Sequence, residues 1–239
     1  MPANKVKKLI LACGVICTSS ALTAAPQYYG ILELGSAQSK FGNLETAISE
    51  TNATTEVVDD SDSAAYFSIG IGLDWVNQPL RSELVYSTFG DQSFINDAKF
   101  ITYSGTERTT AKVKQESLML NLLYDINIDS DKLKPFVGAG IGASKTKTSA
   151  TQIQIGVNRS AAFSEASDTN FMWSLIVGAN YNMTEKAQLG FGYRYTDAGN
   201  VSTEANCIGS DGDICDPGEK HSADLTSHLL FVNLSYYFE

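Results

Sequence analysis

Five features of the chain carry residue types that could do chemistry. Pro135–Thr146 reads PFVGAGIGASKT, and Gly138–Ala143 within it fits the G-x-G-x-x-G/A pattern of a phosphate-binding loop. The Ser-Lys-Thr that follows comes close to a Walker A ending, although Ala139 and Ser144 stand where that motif needs glycine. HSAD (His221–Asp224) sets a base, a nucleophile and an acid in a row, the residue types of a hydrolytic triad. DGDICDPGE (Asp211–Glu219) gathers carboxylates that could hold Ca²⁺. Cys207 and Cys215 lie eight positions apart in a polar stretch. Finally, Glu33, Asp74, Arg81, Glu83, Asp125, Lys134 and Arg194 are single charges inside otherwise weakly charged segments.

What these residues can do depends on the elements that hold them. The chain is 239 residues long, only 18% charged and 10% aromatic. It opens with Lys5, Lys7 and Lys8, then the apolar Leu9–Leu22, then Thr23-Ala24-Ala25, the order of a secretory leader. We expect residues 1–24 to be a cleaved signal peptide and residues 25–239 to be one domain. Cleavage after Ala24 leaves 14 basic side chains against 27 acidic ones, a net charge of −13. That balance and the lack of a basic patch disfavour nucleic-acid binding. It also leaves Cys207 and Cys215 as the remaining cysteines, which in an exported protein read as a local disulfide. The alternative, a metal site, has too few ligands nearby.

Period-2 alternation of apolar and polar residues recurs eight times, at about Tyr28–Ala37, Ala65–Trp75, Leu80–Phe89, Ser117–Asp125, Lys134–Ser144, Phe171–Tyr181, Ala187–Thr196 and His228–Phe238. Each segment is roughly ten residues, the length of a tilted strand crossing a bilayer. Connections alternate between long polar stretches (Gln38–Ala64, Gly90–Glu116, Lys145–Asn170, Asp197–Ser227) and short ones (Val76–Pro79, Ile126–Leu133, Asn182–Lys186). Short turns on one side and long loops on the other are the rhythm of a transmembrane β-barrel, with both termini on the short-turn, periplasmic side.

Alternation alone does not separate a membrane barrel from a soluble one; the content of the polar face does. A solvated face carries many Lys and Glu. Here the polar phase carries Gly, Ser, Asn and Thr with a few charges, as a narrow lumen requires. The glycines Gly70, Gly72, Gly138, Gly140, Gly142, Gly190 and Gly192 share that phase and are expected to make room for large neighbours such as Arg194 and Tyr66. A phosphate loop needs a strand before its glycines and a helix after them. PFVGAGIGASKT has its glycines inside a strand, at a spacing of two, so the nucleotide reading is set aside. The seven single charges fall on the inward phase and must pair, because an orphan charge there is costly. We expect a buried network centred on Glu83 with Arg194 and Arg81.

The segments SELVYSTFG (Ser82–Gly90), KPFVGAGIGAS (Lys134–Ser144), LGFGYRYTDAGN (Leu189–Asn200) and the terminal LSYYFE (Leu234–Glu239) resemble the small eight-stranded outer-membrane β-barrels of Gram-negative bacteria. The family is that of the opacity-protein-like surface antigens and, more distantly, the OmpA/OmpX-type barrels. The resemblance covers the whole chain. It implies an all-β, eight-stranded antiparallel up-and-down barrel in the outer membrane, among lipid and lipopolysaccharide, with a Glu–Arg pairing in its lumen. It implies a C-terminal strand read by the barrel assembly machinery through Val232, Leu234, Tyr236 and Phe238, although Glu239 follows the aromatic that normally ends such a signal.

The functional expectation is an adhesive surface antigen that meets a host or matrix ligand through acidic first and last loops; a narrow pore or small-molecule channel is the alternative. No enzymatic activity is expected, since HSAD is adjacency in sequence and not triad geometry. No cofactor is expected either, and DGDICDPGE lacks the EF-hand spacing for Ca²⁺.

Overall fold

In a computed structural model the described residues are 25–47, 53–100, 105–156, 159–204, 207–210 and 220–238. They form ten strands: β1 (Gln27–Ala47), β2 (Ala53–Asp59), β3 (Ser61–Asp74), β4 (Leu80–Phe100), β5 (Thr106–Asp125), β6 (Leu133–Ile155), β7 (Ser160–Asn182), β8 (Ala187–Ser202), β9 (Cys207–Gly209) and β10 (Lys220–Tyr237). Eight of these, all but β2 and β9, close into an antiparallel ring, since β4 pairs with β5 and β1 with β10. The eight-stranded barrel expected from the alternation is therefore present. The two remaining strands extend the wall: β2 pairs with Ile95–Phe100 of β4, beyond the span covered by β3, and β9 pairs with residues 161–163 of β7.

Strand length differs from the expectation. The sequence places strands of about ten residues, whereas β6 and β7 each run 23. The stretch Lys145–Asn170, read as a loop, is a paired hairpin: Lys145 opposes Thr169, Lys147 opposes Ser167 and Ile153 opposes Ser160. Its alternation escapes a reading keyed to apolar residues, because from Lys145 to Thr151 the outward side chains are polar and the inward Thr146, Thr148 and Ala150 are small.

Two zones follow along each strand. In the lower zone the outward residues are apolar and exposed, for instance Val137 and Ile141 on β6, Leu175 and Val177 on β7, and Val232 and Leu234 on β10. Tyr28, Trp75, Tyr124, Tyr181 and Phe238 line its lower rim, with Phe171 and Tyr193 towards the upper one, as interfacial girdles do. In the upper zone the outward phase turns to Lys, Thr, Ser and Glu. The inward phase turns apolar, and Phe41, Phe94, Val113, Phe163, Val201 and Leu225 share a buried cluster. The barrel is thus built for lipid below and for water above. Register shifts interrupt β1 between Gly42 and Glu45, β4 between Phe89 and Gln92, β6 between Thr148 and Ala150, and β10 between Asp224 and Thr226. Each lies above the apolar band, and such bulges bend and twist the wall locally.

The turns at the lower end are tight. Trp75 N–H donates to Leu80 O at 3.0 Å and Gln78 N–H to Trp75 O at 2.7 Å. Asn77 takes φ 80° there, a left-handed conformation that Asn tolerates better than most residues. At the β7–β8 turn Thr184 Oγ1 accepts from the N–H groups of Lys186 and Ala187 at 3.2 and 3.0 Å.

Candidate functional site

The inward charges divide into two clusters, not the one centred on Glu83. In the first, Arg194 on β8 reaches across the lumen to Glu33 on β1, Nη2 to Oε1 3.1 Å. Glu33 Oε2 also accepts from Tyr66 Oη at 2.9 Å and Ser68 Oγ at 2.8 Å. Arg194 donates its other Nη to Tyr66 Oη and lies over the Phe231 ring at 5.0 Å. Both members of the pair are buried. A bare Glu–Arg contact would be poorly compensated in such a site, and the added hydroxyl donors and ring faces supply the missing contacts.

The second cluster lies towards the lower end. Arg81 grips Asp125 through Nε at 3.1 and 3.0 Å and through Nη2 at 2.8 Å. Its Nη1 is 3.7 Å from Glu83 Oε1, and Glu83 Oε1 accepts from Tyr29 Oη at 2.8 Å. Tyr237 stacks on Tyr29 at 4.9 Å and donates to Asp74 Oδ2 at 3.4 Å. So Glu83 pairs with Arg81, while the partner of Arg194 is Glu33. The reason is reach: three side-chain rungs of β4 separate Glu83 from Phe89, the register partner of Tyr66, and Arg194 meets the lumen at Tyr66. Lys134 does not join either cluster; it is exposed at the lower rim.

The glycines stand on the inner wall, but the neighbours they make room for are others than Arg194 and Tyr66. A Cβ on Gly178 would lie 2.6 Å from the Phe136 ring, one on Gly192 2.5 Å from Phe231, and one on Gly142 2.8 Å from Met119 Sδ. Gly72 faces the Tyr29 ring, Gly138 faces Leu123, Gly140 sits between Asn121 and Ser174, Gly190 between Asn180 and Asn233, and Gly70 against the Leu84 carbonyl. The lumen is therefore less polar than the sequence suggests, with Phe136, Leu123, Ile176, Leu229 and Phe231 filling it beside the charges. The space left between Tyr66, Arg194, Met172 and Leu229 is about 10 Å³, room for roughly one water.

The motifs outside the lumen resolve as follows. His221 points into the barrel and is buried, whereas Ser222 and Asp224 occupy the opposite phase of β10. HSAD therefore cannot converge on one reacting atom. Instead Asp224 accepts from Asn43 at 2.7 Å and from Asn200 at 3.3 Å. Cys207 begins β9, but Cys215 and the whole of Asp211–Glu219 lie outside the described residues, and so do the disulfide and the calcium reading. Val232, Leu234 and Tyr236 on β10 and Phe238 just beyond its end are all exposed, as an assembly signal on the lipid face would be.

Sequence reasoning missed the extracellular surface. The hairpins present Val57, Val58, Ile153, Ile155 and Ile208 to solvent. Their frame is held by side-chain pairs: Arg108 donates to Asp97 through Nε at 2.8 Å and Nη2 at 2.9 Å, and Ser202 and Ser93 cap Asp168 and Asp62. The guanidinium of Arg108 holds the Asp97 carboxyl below the usual carboxylate range. Nothing in the sequence pattern marks these apolar residues as exposed, because their phase is set by hairpin pairing and not by a run of alternation.

The sequence matches the outer membrane protein β-barrel domain over residues 9–238. It is 27% identical over 203 residues to the outer membrane protein PagN of Salmonella typhimurium, covering 83% of this chain and 80% of that one. Among solved structures it is similar to Neisserial surface protein A, at 16% identity and a TM-score of 0.53, over 88% of this chain and 97% of that one. It is also similar to OprG of Pseudomonas aeruginosa, at 14% identity and a TM-score of 0.49, over 91% and 97% of the two chains.

Proposed function

Because the chain belongs to the outer membrane protein β-barrel domain family and so resides in the bacterial outer membrane, we propose that its barrel is an anchor and its extracellular hairpins are an adhesive surface for a host or matrix ligand. One observation carries this reading. Above the apolar band the strands continue as hairpins around their own apolar cluster of Phe41, Phe94, Val113, Phe163, Val201 and Leu225. A protein that only had to sit in lipid would end its strands at the band. Building a water-facing core beyond it stiffens a projecting surface, and that surface exposes apolar side chains beside the acidic Glu56, Asp59 and Asp60. The lumen offers little to a pore: its inner wall is filled with side chains.

Three supporting roles belong to the same reading. Residues 1–24 direct export and are removed after Ala24. Cys207 and Cys215 close the last extracellular loop as a disulfide. Val232, Leu234, Tyr236 and Phe238 present the C-terminal strand to the assembly machinery.

The test is binding of intact bacteria displaying the protein to cultured epithelial cells and to immobilised matrix. Val57→Asp with Val58→Asp, and separately Ile208→Asp, should lower binding several-fold while surface level and gel mobility stay unchanged. Full binding by both variants would refute the adhesive role of the hairpins.

A further inference from the structure

Two strands of the water-facing wall separate above the apolar band, and each is left with an open edge. Up to Lys40 and Ser61, β1 and β3 pair residue by residue, and the bond from Phe41 N–H to Asp60 O, at 2.7 Å, closes that ladder. Above it, among the described residues, β2 pairs with β4 alone and β1 with β10 alone. The separation is built into both strands. β1 shifts register between Gly42 and Glu45, and β2 between Val57 and Asp59; such bulges bend a strand and interrupt its ladder. Asn43 takes φ 46° within the first bulge, and its Nδ2 donates to Asp224 Oδ2 on β10 at 2.7 Å, which holds β1 to that side.

Alternate residues of an edge strand direct their N–H and C=O groups away from the one partner they have, where another chain can pair with them. Proteins usually guard such edges with lysine, proline or very short strands. β2 reads ATTEVVD, with β-branched Thr54, Thr55, Val57 and Val58 and no lysine, proline or glycine. That composition favours extended pairing. Val57 and Val58 are exposed as well. The edge therefore offers main-chain pairing beside two apolar side chains, the combination from which strand addition draws its affinity and selectivity.

Charge selects the strand that fits. Glu56, Asp59, Asp60 and Asp62 lie on β2 or just after it. Lys99 pairs with Glu56, and Lys40 Nζ stands 3.8 Å from Asp60. Four carboxylates against two lysines leave the edge net negative. A second copy of the chain would bring the same acids and be repelled, whereas a basic segment is attracted. We propose that the open edge of β2 takes up an extended, basic segment of a host or matrix protein as an added strand. Its backbone pairs along Ala53–Asp59 and its side chains rest on Val57 and Val58. The inference rests on the adhesive reading of the hairpins and names the chemistry of their partner.

The experiment uses the full mature chain refolded in detergent micelles and a synthetic peptide of alternating lysine and valine, matched to β2 in length. It reads peptide affinity by fluorescence anisotropy and backbone protection by hydrogen exchange with mass spectrometry. The peptide should bind and slow exchange in Ala53–Asp59. N-methylating its central residues should weaken binding by about tenfold or more, as the loss of several strand hydrogen bonds would. Replacing its lysines with glutamate should also weaken binding, and high salt should narrow the difference, since exposed charges are screened. Val57→Lys with Val58→Lys supplies the missing guard and should abolish binding while gel mobility stays unchanged. The inference is overturned if exchange in Ala53–Asp59 is unaffected, if the N-methylated peptide binds as well as its parent, or if the lysine variant keeps full affinity. It is also overturned if β2 is already protected without peptide and that protection falls on dilution, which would make a second copy the occupant. Bacteria that bind cells while the peptide leaves β2 unprotected would keep the adhesive reading and remove this one. Protection of β2 in a protein whose bacteria do not bind would do the reverse.

Discussion

Arg194 on β8 and Glu33 on β1 meet inside the barrel, Nη2 to Oε1 3.1 Å, although 161 residues separate them in the chain. Removing either partner strands a buried charge. Arg194→Ala and Glu33→Ala should each destabilise the barrel by about 3–5 kcal/mol, the usual range for breaking a buried pair. The double variant should lose less than the sum, because neither charge is then left alone. Urea unfolding in detergent micelles, followed by tryptophan fluorescence, measures all three; additive losses would show that the two residues act independently.

Gly140 and Ala139 are neighbours on β6 that face opposite media. Gly140→Leu would drive a side chain into Asn121 and Ser174, whereas Ala139 projects outward and is exposed. Ala139→Leu should refold normally and Gly140→Leu should not. The readout is the mobility difference between boiled and unboiled protein on a gel. A normal shift for Gly140→Leu would mean that the inner wall has slack to spare.

The lumen should not conduct. Side chains fill it from Tyr29 and Phe136 at the lower end to Phe41 and Phe94 in the upper zone. Refolded wild type in planar bilayers should give no conductance steps at high salt, and Arg194→Ala should stay closed, because the apolar cluster above it remains. Discrete steps in wild type would require the interior to open.

Asp97 predicts a local acid sensitivity of the β4–β5 hairpin. Arg108 holds its folded carboxyl below the value of an unpaired aspartate, hydrogen bonding being the leading cause. The pair therefore contributes stability above the unfolded carboxylate range, and that contribution is lost as pH falls through the lower, folded value. Amide exchange of the hairpin should accelerate on acidification in wild type. In Asp97→Asn it should already be fast at neutral pH and show a weaker slope through the same range. An identical pH profile for the two proteins would exclude this pair as the cause.

Much of the fold was legible in single strands. Tyr28–Ala37, Phe171–Tyr181 and His228–Phe238 announce themselves because one side faces lipid, and lipid demands an unbroken apolar phase. The same rule explains what was missed. Above the bilayer the outer face of Lys145–Thr151 is polar while its inner face holds Thr146, Thr148 and Ala150, so no hydrophobic period remains to be read, although the backbone pairing continues. PFVGAGIGASKT lies within β6, and among the described residues no helix follows it, so it is a strand and not a phosphate loop.

The sequence alone sets the number of membrane strands and their inward and outward phases, because alternation is a local rule; it does not set which charges end inside, and Lys134, placed on the inward phase, is exposed at the lower rim. It could not determine which charges meet. Whether Arg194 finds Glu33 or Glu83, which rings occupy the space at Gly178 and Gly192, and where β1 and β2 separate depend on the register between strands and on the closure of the ring. Those are relations between distant segments, set when all eight strands pair at once, and no stretch of the chain carries them alone.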